Sequence, residues 1–215
     1  MISCRFILAF LFLISFVYGF AQDITSRIFE IQTATSSTSD RSDLIKYYKS
    51  ILQITDSLDR NGKGLVNQRI YAWGVKSHIE YELGDILLSE SSSIRTLELL
   101  DSVENSDWRK LAKLKSYNQL GMLKSNLVDF EKAIYYYNKV ISLTEDPVYQ
   151  SIANSNLGNA YFNLDEFDVA LEHYNKALEL SQGSKDLKFE ARVIGSIGRT
   201  QSVLNLPEAE SSLLR

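Results

Sequence analysis

From Leu44 onward the apolar positions recur at helical spacing. Leu44, Tyr47, Tyr48, Ile51, Thr55 and Leu58 fall on one face of a helix, and the "NGKG" turn at Asn61 to Gly64 ends the run. The same period continues in segments separated by short polar breaks, at about 64–82, 86–104, 108–127, 130–144, 148–164, 167–182 and 187–204. No stretch alternates with the two-residue period of a strand. Pro147 and Pro207, the two prolines of the chain, both stand where a helix is due to start, the place that tolerates a missing backbone N–H. The pattern predicts an all-α fold.

Ahead of the first of these helices, "TATSSTSDRSD" at Thr33 to Asp43 is rich in Ser and Thr and offers nothing to bury, so residues 22–42 read as a polar linker and the folded part is expected to begin near Asp43. The first residues, "MISCRFILAFLFLISFVYGFAQD", carry Arg5, then an apolar run from Phe6 to Val17, then the small residues Gly19 and Ala21. That is the layout of a secretory signal peptide over 1–21, with cleavage expected after Ala21. A membrane anchor is the competing reading, and the apolar run falls short of the roughly 20 residues a bilayer requires. Cys4 precedes the apolar run instead of closing it, which argues against a lipid-modified cysteine. The expected location is therefore outside the cytoplasm, periplasmic or extracellular, with no membrane insertion after cleavage unless a downstream segment exists.

Self-similarity decides the architecture. Phe130, Ala133, Ile134, Tyr137, Val140 and Ile141 reappear as Phe167, Ala170, Leu171, Tyr174, Ala177 and Leu178, each 37 residues later, and Leu120-Gly121 becomes Leu157-Gly158 at the same offset. A third copy carries Ile197-Gly198 and Leu204. These residues resemble the tetratricopeptide repeat, a helix-turn-helix unit with a W-x2-L-G-x2-Y…A-x3-F pattern. The best copy runs from Ser151 to Ser184, with Leu157, Gly158, Tyr161, Ala170, Tyr174 and Ala177 in place. It departs where Asn154 replaces Trp, where Tyr174 replaces Phe, and where Gln182 stands near the usual proline. The neighbouring copies carry Lys124 and Gln201 where Tyr is due. Upstream, Trp73 and the Gly84-Asp85 turn belong to a degenerate copy whose second helix is expected to be interrupted by "SESSS", Ser89 to Ser93.

The resemblance implies a right-handed α-solenoid of antiparallel helix pairs. Its expected parts are degenerate helical repeats over 43–113 and family-like repeats over 114–215, in copies at about 114–150, 151–190 and a truncated 191–215. Glycine in a helix interior costs about 1 kcal/mol relative to alanine, so Gly121, Gly158 and Gly198 imply close approach of a neighbouring helix.

Charge and chemistry narrow the function. The net charge of −4 becomes −5 when the signal segment, with Arg5 and no carboxylate, is removed, and the only cysteine goes with it. An exported chain without cysteine relies on packing and not on disulfides. The acidic balance provides no electrostatic footprint for nucleic acid. His78 and His173 lie on separate helices without cysteine to assist, so neither a metal site nor a cofactor is expected. "GSIG" at Gly195 to Gly198 lacks the preceding strand of a nucleophile turn, and "NGKG" lacks phosphate-loop spacing. Asp165, Glu166 and Asp168 cluster at a helix start and favour the positive end of its dipole. Tyr135-Tyr136-Tyr137 offers a stacking platform, against which stands the repeat-core role of Tyr137. Nothing here specifies an enzyme.

What remains is a non-catalytic scaffold for a protein or peptide partner. The alternative is the sensory input region of a longer membrane-bound regulator of the histidine-kinase or helix-turn-helix type, which signal peptide plus repeats also resembles. In the family the first helix of each repeat lines the binding groove. Here the corresponding faces carry Lys115, Asn118 and Met122, then Ser155, Asn156, Asn159 and Phe162, then Arg192, Arg199 and Ser202. The plain alternative for them is a solvated helix face. Some family members grip a terminal carboxylate with Lys, Asn and Arg in successive repeats. Asn159 with Arg192 resembles part of that clamp, while Ser155 stands where its lysine is due.

Overall fold

The computed structural model of the protein describes residues 4–61, 65–104, 106–182 and 186–204. Among these residues lie nine α-helices and no strand, and the chain divides into two compact units, residues 1–104 and 105–215.

Unit 1 holds α1 (Cys4–Ser37), α2 (Arg41–Asn61), α3 (Val66–Leu83) and α4 (Ile86–Asp101). The linker expected over 22–42 is a correction: α1 continues through Ser37, past the expected cleavage point at Ala21. Its residues Ile24, Ile28 and Ile31 join Leu44, Ile51, Ile54 and Leu58 of α2 and Ala72, Val75 and Ile79 of α3 in one buried cluster. The hydroxyl groups that suggested a linker bond instead to carbonyls one turn back, as Thr25 Oγ1 does to Ala21, Thr33 Oγ1 to Phe29 and Thr35 Oγ1 to Ile31 at 2.8–2.9 Å. Satisfied in this way, Ser and Thr cost a helix little. Truncating the buried Ile28 to alanine is expected to cost about 2–5 kcal/mol, read as a lower urea midpoint. An unchanged midpoint would remove α1 from the core.

The serine-rich segment is the second correction. Ser89 to Ser93 do not interrupt α4; Ser89, Ser92 and Ser93 form its buried face against α3. Counted back from the start of the second helix, Trp73, Lys76, Ser77 and Glu80 hold the places that Asn154, Leu157, Gly158 and Tyr161 hold in the best repeat. A polar core replaces the apolar one. Lys76 Nζ donates to Glu80 Oε1 at 2.6 Å and to Ser92 Oγ at 2.9 Å, Ser92 Oγ donates to Glu80 Oε2 at 2.6 Å, and the Tyr48 hydroxyl donates to Glu80 Oε1 at 2.9 Å. The Lys76 ammonium also lies 4.7 Å from the centre of the Trp73 ring. Ser77 meets Ser93 at 2.6 Å and donates to the Ser89 carbonyl. Burial and the bond to Glu80 push the Tyr48 phenol up to about 12.

Unit 2 holds α5 (Asp107–Asn126), α6 (Phe130–Leu143), α7 (Pro147–Asn163), α8 (Phe167–Ser181) and α9 (Leu187–Val203), each boundary within a few residues of the sequence expectation. Caps set the starts: Asp129, Asp146 and Asp186 accept from the backbone N–H of Lys132, Val148 and Phe189, and Pro147 opens α7. The turns inside the pairs share one geometry. Val128 and Asp165 take positive φ of 60°, and the next residue's N–H reaches the carbonyls of Lys124 and Tyr161.

Gly121 and Gly158 do meet close packing, and its agent is a tyrosine. A Cβ on Gly121 would come 2.4 Å from the Tyr137 ring, and one on Gly158 would come 2.6 Å from the Tyr174 ring. Ala133 and Ala170, fully buried, keep the same helix faces close. The "NGKG" turn at 62–64, Pro207 and the second helix of the truncated copy lie outside the described residues.

Candidate partner-binding groove

Helices α5, α7 and α9 are the first helices of successive pairs, and α7 touches both of the others. The residues expected to face a partner sort into two groups along them. Between α5 and α7, Asn156 Nδ2 donates to Asn118 Oδ1 at 3.3 Å, and Asn118 Nδ2 approaches Met122 Sδ at 3.6 Å. Asn118, Met122 and Asn156 therefore form one half-buried amide patch.

Between α7 and α9 the geometry is more ordered. The Arg199 guanidinium lies 4.3 Å from the centre of the Phe162 ring, and the edge-on contact of Phe162 with Phe167, centroids 5.2 Å apart, holds that ring. Tyr174 OH donates to Asn159 Oδ1 at 2.7 Å, and the Arg199 charge lies near the same hydroxyl. Burial pushes the Tyr174 phenol above its ordinary value, with the Arg199 charge in opposition, so the hydroxyl stays a donor at neutral pH. With the amide oxygen of Asn159 engaged, its Nδ2 group is the one presented from this exposed residue. Three helices, α7, α8 and α9, thereby fix one donor and one cation side by side.

Two residues of the sequence reading fall elsewhere. Ser155 is 5% exposed, a small side chain buried in helix packing, and cannot stand in for a clamp lysine. Arg192 is exposed with its guanidinium 5.2 Å from the Phe189 ring; the cation placed beside the Asn159–Tyr174 pair is Arg199. Lys115 and Ser202 are exposed on α5 and α9. Tyr174 is the residue that sequence reasoning assigned only to the core. Its signal was the hydroxyl itself, a tyrosine where the repeat pattern has phenylalanine. The tyrosine run of α6 makes no parallel platform, since Tyr135 and Tyr136 meet at 71° and Tyr137 is buried against Gly121.

Residues 114–147 and 151–184 each match the tetratricopeptide repeat. Three solved structures share the fold. The apo form of RapI superposes with a TM-score of 0.69 at 15% identity over 81% of this chain, which spans only 47% of RapI. BtubC (BKLC) from P. vanneervenii gives 0.61 at 16% identity, over 91% of this chain and 87% of that one. A putative kinesin light chain of Podosopora anserina with nearly identical TPR-like repeats gives 0.68 at 10% identity, over 88% and 92%. No curated protein matches the chain by sequence.

Proposed function

We propose, from the premise that residues 114–147 and 151–184 are tetratricopeptide repeats, that the chain is an exported, non-catalytic scaffold whose groove holds an extended segment of a protein partner. The observation that carries this reading is the Tyr174–Asn159 hydrogen bond with Arg199 beside it and over the Phe162 ring. An amide donor held by a buried phenol and a cation held over an aromatic ring have already lost much of the side-chain entropy that binding costs. Together they suit a backbone carbonyl or a carboxylate of the partner, through amide and charge-assisted hydrogen bonds.

Export rests on the signal-peptide layout of residues 1–21. Cleavage after Ala21 leaves Ile24, Ile28 and Ile31 with unit 1, so the mature chain keeps its α1 contacts. Among the described residues no helix is long and apolar enough to cross a membrane. N-terminal sequencing of the secreted protein should begin at Gln22, and recovery of Met1 in a membrane fraction would sink this part of the reading.

The groove is tested by titration of a partner recovered from cell-envelope extract. The Asn159→Ala, Arg199→Ala double variant should bind it roughly tenfold more weakly, about 1.4 kcal/mol, while its thermal unfolding stays close to that of the parent. Equal affinity would move the binding surface off α7 and α9.

A further inference from the structure

The two repeats of unit 2 differ at one pair of positions, and in the second repeat that pair lines a pocket. In the first, Tyr117 of α5 stacks on Tyr136 of α6, ring centroids 6.2 Å apart and planes within 24°. Exactly 37 residues on, the same two positions hold Asn154 and His173. The Asn154 side chain reaches His173 Nδ1 through Oδ1 at 3.0 Å and donates from Nδ2 to the Gln150 carbonyl at 2.8 Å. An amide is smaller than a phenol ring. A pocket of about 510 Å3 is found there, lined by Asn154, Glu172, His173, Asn175, Lys176 and Glu179. This volume is within the range of small-ligand sites.

We propose that this pocket on α7 and α8 is a second recognition site, distinct from the groove, that takes an arginine side chain of a partner. Its wall is planar: His173 lies flat on Tyr161, centroids 5.3 Å apart and planes within 5°. Burial holds the imidazole below its ordinary value against the nearby Glu172 charge, so at neutral pH the ring is uncharged and does not repel a cation. Lys176 is paired with Glu179 at 2.9 Å, which leaves Glu172 to set the sign of the pocket. The exposed Asn175 amide adds an acceptor. A guanidinium satisfies this set, because it is planar, stacks on an aromatic ring and forks to carboxylate and amide oxygens at once. A neutral aromatic side chain would leave the Glu172 charge unanswered, and an ammonium would lose the stacking.

The test titrates acetyl-Gly-Arg-Gly-amide into the full chain, with the lysine and tyrosine analogues as comparators, and follows the His173 ring and Asn154 amide resonances. Saturable shifts are expected with the arginine probe, roughly tenfold weaker with lysine or tyrosine. Asn154→Tyr, which places in α7 the residue that α5 carries at Tyr117, should abolish the arginine response. Glu172→Gln, a change on an exposed position, should weaken it severalfold and supplies an independent reading should Asn154→Tyr fold poorly. No saturable shift, equal or stronger binding of the lysine or tyrosine probe, or an arginine response unaffected by Glu172→Gln would each overturn the proposal. Because none of these residues belongs to the groove, the outcome is independent of whether Asn159 and Arg199 bind a partner.

Discussion

Replacing Lys76 with methionine is expected to destabilise unit 1 by about 3–5 kcal/mol. Glu80 is fully buried, and its two oxygens are held by Lys76, Ser92 and Tyr48. Methionine fills the space of the lysine stem and leaves the carboxylate without its counter-charge in a low-dielectric site. Glu80→Leu alone should also be costly, since it leaves the Lys76 ammonium and the Tyr48 and Ser92 hydroxyls without their acceptor. The double variant should lose much less than the sum, because it removes both buried charges together. Trp73 beneath the Lys76 ammonium reports on unit 1 directly, and Trp108→Phe removes the fluorescence of the other tryptophan. Urea melts of the four members of the cycle would show additive losses if the pair were an incidental surface contact.

The second large effect is expected at Gly158. Its added Cβ would stand 2.6 Å from two carbons of the Tyr174 ring, and that ring is fully buried with its hydroxyl tied to Asn159, so it has nowhere to retreat. Leucine there should cost about 1–3 kcal/mol through overpacking, and Ala170→Leu a similar amount from the facing helix. Unit 1 shows the other solution to the same space: at the equivalent positions Ser77 opposes Ser93, two small hydroxyls 2.6 Å apart in place of glycine and tyrosine. A Gly158→Ser, Tyr174→Ser double variant should therefore be less damaged than the two single changes predict. Additivity in chemical denaturation, or an unchanged midpoint for Gly158→Leu, would contradict the packing described for α7 and α8.

Helix boundaries were legible because each apolar stripe is long and its ends carry chemistry: Pro147 after the Asp146 cap, the turn at Gly84, the 37-residue echo of Phe130 in Phe167. Two segments misled for one shared reason. In 22–37 and in Ser89 to Ser93 the hydroxyl side chains find acceptors within the protein, so their polarity does not mean exposure. Ile24, Ile28, Ile31 and Thr35 did carry helical spacing, which composition obscured. The groove was legible as a set of positions but not as contacts. Which arginine stands beside Tyr174 depends on the long-range packing of α9 on α8. The burial of Ser155 depends on how closely neighbouring helices pack, and no local pattern encodes that distance.

Photo-cross-linking tests whether the first helices of unit 2 hold a partner segment. A photoreactive phenylalanine at Lys115 or Ser202, both exposed in the groove row, is compared with one at Tyr135, exposed on α6. Adducts with a partner from positions 115 and 202, and none from 135, are the predicted result. Adducts from 135 alone, or from all three equally, would contradict it.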